Sequence, residues 1–103
     1  MIKYKVTRSN DEYKIEVRGH ANQNPYGSDI VCASVSTMLI LTLNLMEKLE
    51  LQSCNNTNPI CDEGKFLINI NLSNDTAIKI LNNLEESLDM LAMTYPKNIK
   101  SDK

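Results

Sequence analysis

The sequence predicts an α+β domain, a small antiparallel sheet with two helices packed on one face. Three observations carry that prediction. Residues 2–7 and 13–17 alternate apolar and polar side chains, the period of a half-buried strand. Two later segments repeat apolar positions every three to four residues, the period of an amphipathic helix. The order is strand, strand, helix, strand region, strand, helix, so two apolar helix stripes share one sheet. A chain of 103 residues suits a single domain, 1–103, with one core.

In the first strand Ile2, Tyr4 and Val6 fall on one side and Lys3, Lys5 and Thr7 on the other. Tyr13, Ile15 and Val17 repeat the pattern against Lys14 and Glu16, and Arg8-Ser9-Asn10-Asp11 supplies the turn of a hairpin. Residues 19–28 are rich in turn formers (Gly19, Asn22, Asn24, Pro25, Gly27, Ser28) and read as a loop of about ten residues. Loops of that length in a compact domain are uncommon unless they carry function or are disordered. From Asp29 to about Glu50 the period becomes helical, with Ser28 or Asp29 as N-cap. Val31, Val35, Met38, Leu45 and Leu49 are expected to form its core stripe. Leu39, Ile40 and Leu43 lie outside that stripe and call for a second partner, a neighbouring subunit. Residues 51–63 read as loop with one irregular strand at most. Phe66, Ile68, Ile70 and Leu72 mark a further strand, after which Ser73 or Asn74 caps a helix carrying Ala77, Leu81, Leu84, Leu88 and Leu91. Tyr95-Pro96 ends that helix, and the tail KNIKSDK is expected to fray.

Composition narrows the function classes. A net charge of −2 argues against a nucleic-acid binder, which normally carries a basic excess on one face. No segment holds the roughly 18 uninterrupted apolar residues of a membrane span, and MIKYKVTRSN lacks the features of a signal peptide. A cytoplasmic protein is expected. Three cysteines (Cys32, Cys54, Cys61) cannot all pair within one chain, so reduced thiols are the default.

The chemistry concentrates in GHANQNPYGSDIVCASVS, residues 19–36, which holds the chain's one histidine and two of its three glycines. Cys32 is expected in the first turn of the helix, where the dipole favours a thiolate and lowers the thiol pKa. An imidazole within reach, His20, would complete a nucleophile and its base. Asp29, three residues before Cys32, either orients His20 or caps the helix, and capping carries more weight. Ser36, one turn after Cys32, faces a substrate or bonds the carbonyl four residues back. Spacing alone leaves a second reading open, a packing cysteine and a polar loop histidine.

The string Gly19-His20-Ala21, a loop ending at Gly27, then Asp29-Ile30-Val31-Cys32-Ala33-x-Val35-Ser36 resembles the signature of the bacterial ribosomal-processing cysteine proteases, the Prp family. The chain departs mainly at Ser34, where alanine is usual. The resemblance extends over the element order to the near-terminal Tyr95-Pro96. It implies a homodimeric cysteine endopeptidase that removes the N-terminal extension of a large-subunit ribosomal protein, L twenty-seven, after a phenylalanine-rich stretch. It further implies Cys32 as nucleophile and His20 as general base, with Asp29 and Ser36 supporting them and Gly19 and Gly27 holding the loop backbone. No cofactor and no membrane partner are implied. Two rival readings stand beside it. A zinc site of Cys32, Cys54, Cys61 and His20 lacks the close ligand pairs such sites show. A non-catalytic ribosome-associated binding module needs no thiol at position 32.

Overall fold

The computed structural model describes residues 1–19, 28–51, 55–60 and 65–102; for residues 28, 29, 55–60 and 65 it describes the backbone element alone. The elements are β1 (Ile2–Arg8), β2 (Glu12–Arg18), α1 (Ser28–Lys48), β3 (Asn55–Ile60), β4 (Lys65–Asn71), α2 (Asp75–Thr94) and β5 (Ile99–Ser101). Among the described residues the strands form one sheet in the order β3-β4-β2-β1-β5. The first four pair antiparallel, and β5 runs parallel to β1.

The hairpin forms because alternation and turn chemistry agree. Ser9 N–H donates to the Glu12 carbonyl at 2.9 Å across the turn. Tyr4 then lies opposite Val17, Tyr13 opposite Ile70, Ile15 opposite Ile68 and Val17 opposite Phe66. This register puts every large apolar side chain of β1, β2 and β4 except Leu67 on one face, where they are buried with both helices in a single core. Asn74 caps α2 by accepting from Ala77 N–H at 3.0 Å, and Ala77, Leu81, Leu84, Leu88 and Leu91 all face the core, joined by Ile80. Polar contacts also fasten α2 to the hairpin. Tyr4 donates to Asp89 at 2.5 Å, Tyr13 donates to Glu85, and Arg8 donates to the Tyr13 oxygen at 3.1 Å and to Asn82 at 2.9 Å. Burial, reinforced by the bond to Glu85, pushes the Tyr13 hydroxyl up to about 12, so it remains a donor throughout the neutral range.

Two expectations are corrected. The tail does not fray. Ile99 is fully buried, Ile2 N–H donates to the Asn98 carbonyl at 2.9 Å, and Asp102 N–H donates to the Tyr4 carbonyl at 2.7 Å. The inward stripe of α1 is Val31, Val35, Leu39, Thr42 and Met46, not the Met38-Leu45-Leu49 phase. Thr42 is buried because its hydroxyl donates to the Met38 carbonyl at 2.7 Å, which satisfies the polar atom within the helix. Leu39 therefore belongs to the chain's own core and Leu43 packs partly against it, while Leu45 and Leu49 are left at 45% and 47% exposure. Ile30, Ile40 and Leu41 are more exposed still. By length and composition Ile30–Lys48 is apolar enough to cross a membrane, yet its inward stripe is part of the same core as the sheet and α2.

The helix ends at a left-handed residue, Glu50 (φ 57°). Glu50 N–H donates to the Glu47 carbonyl and Leu51 N–H to the Met46 carbonyl, at 3.0 and 2.9 Å. This double closure tucks Leu51 under Met46 in the core.

Candidate active site

α1 opens at Ser28, so Ser28 and Asp29 are its first two residues and Cys32 is its fifth. Cys32 thus stands one turn in from the helix start, not in the first turn as expected from sequence. The dipole effect falls off within that first turn. The flanking Val31 and Val35 are buried and fix the rotation of the helix. Cys32 is left half-buried at the margin of the core, its thiol unbridged. Ala33 and Ser36 beside it are exposed. Ser36 lies one turn on, on the face of Cys32. Thr42, Ser87 and Thr94 bond the carbonyl four residues back, but Ser36 makes no such bond among the described residues.

Gly19 closes β2 immediately before His20. Its φ is +99°, and a Cβ there would sit 2.4 Å from the Met1 carbonyl oxygen and 3.5 Å from Ile2 Cα. Glycine is required twice over, by backbone conformation and by the close approach of the chain start. The neighbouring Arg18 is held by Asp102 at 2.8 Å. The backbone that leads to His20 is therefore clamped from β1 and from the residue after β5. Gly19→Ala is expected to cost about 3 kcal/mol or more, combining backbone strain of roughly 1–3 kcal/mol with the contact to Met1. For a small domain at roughly 4–8 °C per kcal/mol, thermal unfolding followed by circular dichroism should show a midpoint at least about 12 °C lower. A midpoint within a degree or two of wild type would show that the close approach relaxes freely.

The structure places Cys32 and Ser36 on one helix face and gives Gly19 a physical reason. His20 and Gly27 lie outside the described residues, as do Cys54 and Cys61, so three of the four ligands in the zinc reading fall there as well. Asp29 is placed in the first turn of α1 by its backbone. Two features escaped the sequence. One is the clamp on Gly19 by Met1 and Arg18–Asp102, for which the strand-Gly-His order was the signal. The other is a groove of about 150 Å³ between the helices, lined by Met38, Leu41, Thr42, Leu45, Ile80 and Ser87 among others. It begins about 9 Å along the helix from Cys32.

Comparison with known proteins bears on what this arrangement does. The family model for the cysteine protease Prp matches residues 1–100. The ribosomal processing cysteine protease Prp of Staphylococcus aureus, in two strains, is 34% identical over 95 residues, which cover 88% of this chain and 89% of that protein. Crystal structures of the S. aureus protease with a covalently linked product peptide and with a substrate peptide superpose with TM-scores of 0.79 and 0.81, at 30% and 29% identity. Each superposition covers 99% of this chain and 98% of the other. The sheet order, the placement of a half-buried cysteine early in α1 and the match over nearly the whole chain converge: this protein belongs to the Prp family of cysteine proteases.

Proposed function

We propose that this protein is the endopeptidase that removes the N-terminal extension of ribosomal protein L twenty-seven, with Cys32 as nucleophile and His20 as general base. The observation that carries the reading is Cys32 itself, an unbridged, half-buried thiol at the margin of the core with exposed Ala33 and Ser36 beside it. Its relative in S. aureus is named for ribosomal processing and was captured with a covalently linked product peptide. A covalent link to product is what a nucleophilic mechanism leaves behind. In the first step the imidazole of His20 takes the thiol proton, Cys32 Sγ attacks the scissile carbonyl, and the imidazolium returns the proton to the departing amine. Water then attacks the thioester with His20 again as base, releasing the acid product and the thiol. Asp29, in the first turn, supports this by its charge near the helix start and by orienting the imidazole. Ser36 offers its exposed hydroxyl to the substrate. The cytoplasm, where thiols stay reduced, is the compartment in which Cys32 functions.

The test is a synthetic peptide spanning the extension and the start of the mature ribosomal protein, incubated with the enzyme and read by mass spectrometry. One cut, leaving the mature N-terminus, is expected. A peptide that binds and stays whole would favour the binding-module reading.

The same protein is proposed to act as a homodimer through α1. The exposed Ile40, Leu41, Leu45 and Leu49 leave an apolar flank that neither the sheet nor α2 covers, and two-fold pairing is the commonest way to cover one. Leu43 packs against the core, so charge there would disturb the fold as well as the surface. Leu41, 63% exposed, is the cleaner probe. Leu41→Glu is expected to weaken pairing by about a hundredfold, from roughly 2–3 kcal/mol of lost apolar burial and buried charge. Sedimentation should show a wild-type dimer at micromolar concentration and a monomeric variant. A wild-type monomer would end the proposal.

A further inference from the structure

We propose that the open face of the sheet binds single-stranded nucleic acid through its phosphodiester backbone. The strand register builds a row of cations there. Lys3 lies opposite Lys100 on one side and Arg18 on the other, and the position opposite Arg18 on β4 is Lys65. Four basic residues thus share one line across β5, β1, β2 and β4, spanning about 14 Å at the ordinary strand spacing. Like charges directly opposite each other destabilise a sheet. Arg18 is paired with Asp102, but among the described residues neither Lys3 nor Lys100 forms an ion pair. Lys5 and Lys14 alternate onto the same face in neighbouring rows, Lys5 opposite Glu16 and Lys14 opposite Thr7. Lys3, Lys5, Glu16, Arg18 and Asp102 together line a shallow depression of about 90 Å³. Six basic positions share the face with Glu12, Glu16 and Asp102, a basic balance on a chain whose net charge is −2.

The face also says what kind of polyanion fits. Tyr4, Tyr13 and Phe66 all point into the core, so no described aromatic side chain on the open face is available to stack on a base. Contact falls on phosphates and is indifferent to sequence. By register Leu67, which is half-buried, and Ile60, opposite Lys65, are the large apolar positions of this face, and two scattered positions give a bilayer no contiguous patch to anchor. An acidic protein would likewise lack the buried aromatic or aliphatic anchor that protein interfaces are built around. A regular line of charge suits a regular line of phosphates.

Fluorescence anisotropy with a labelled twelve-nucleotide RNA tests this on the full chain. Micromolar binding is expected at low salt, with log K falling against log salt at a slope of about −2 to −3, the release expected for three to four phosphates on a single strand. Lys3→Glu combined with Lys100→Glu should weaken binding at least about tenfold. Lys48→Glu with Lys79→Glu, the same charge change on the helix side, should weaken it less than about threefold. Because Lys3→Glu replaces repulsion with attraction on both sides, that single variant should also melt higher than wild type. Absence of binding at low salt overturns the proposal, and so does an equal loss in the two double variants. A polyglutamate peptide that binds as tightly as the RNA, or a Lys3→Glu protein that melts lower than wild type, overturns it too.

Discussion

Cys32→Ala is expected to abolish cleavage of the extension peptide while leaving the fold and peptide binding in place. On the proposed mechanism the substitution removes the sulfur that forms the thioester. Nucleophile deletions in covalent proteases lower turnover by about 10⁵-fold or more. The fold should tolerate the change. Cys32 is half-buried, makes no disulfide, and sits in a helix where alanine has the best propensity. Circular dichroism and thermal unfolding close to wild type, together with loss of product in single-turnover mass spectrometry, would separate chemistry from stability. Cys54→Ala and Cys61→Ala should keep most activity. Cleavage by Cys32→Ala at near the wild-type rate would sink the mechanism.

His20→Ala should lower the rate by about 10²- to 10⁴-fold, the usual contribution of a general base. The pH profile distinguishes a base from a loop residue that merely holds shape. A base must be neutral, so wild-type activity should carry an acidic limb. In His20→Ala that limb should vanish. On the proposed mechanism the imidazole is the group that activates Cys32, which stands beyond the first turn of α1. Asp29→Asn should cost less. A variant with lower turnover but an unchanged acidic limb would assign His20 to structure.

The hairpin was legible because alternation at Ile2-Tyr4-Val6 and Tyr13-Ile15-Val17 admits one register once one face is buried. The second helix was legible for a similar reason: its apolar positions are sparse enough to define one phase, and Asn74 marks its start. The first helix is apolar nearly all round, so several stripes at helical spacing compete. Its true phase passes through Thr42, a residue that sequence patterning sets aside as polar. The strand at Ile99–Ser101 was hidden because three residues with one apolar side chain carry no period, and its partner lies at the other end of the chain. At the site, Cys32 and Gly19 stood out by rarity and position. The cation row could not, because net charge averages over faces that only the register separates.

The pairing of Ile99–Ser101 with Ile2–Tyr4 has a consequence for when the enzyme becomes active. Ile2 is polymerised 97 residues before its partner Ile99. Until Ile99–Ser101 are made, one edge of β1 stands unpaired, an exposed template whose alternating lysines discourage wrong partners. The Met1 carbonyl that packs on Gly19 is seated only when β1 is, and Arg18 finds Asp102 only after β5 has been made. Closure over so long a separation is also slow. A nascent copy of this protease is therefore expected to be inert, its Gly19 backbone unclamped until Ile99–Ser101 have been made. Translation itself would time the appearance of proteolytic activity.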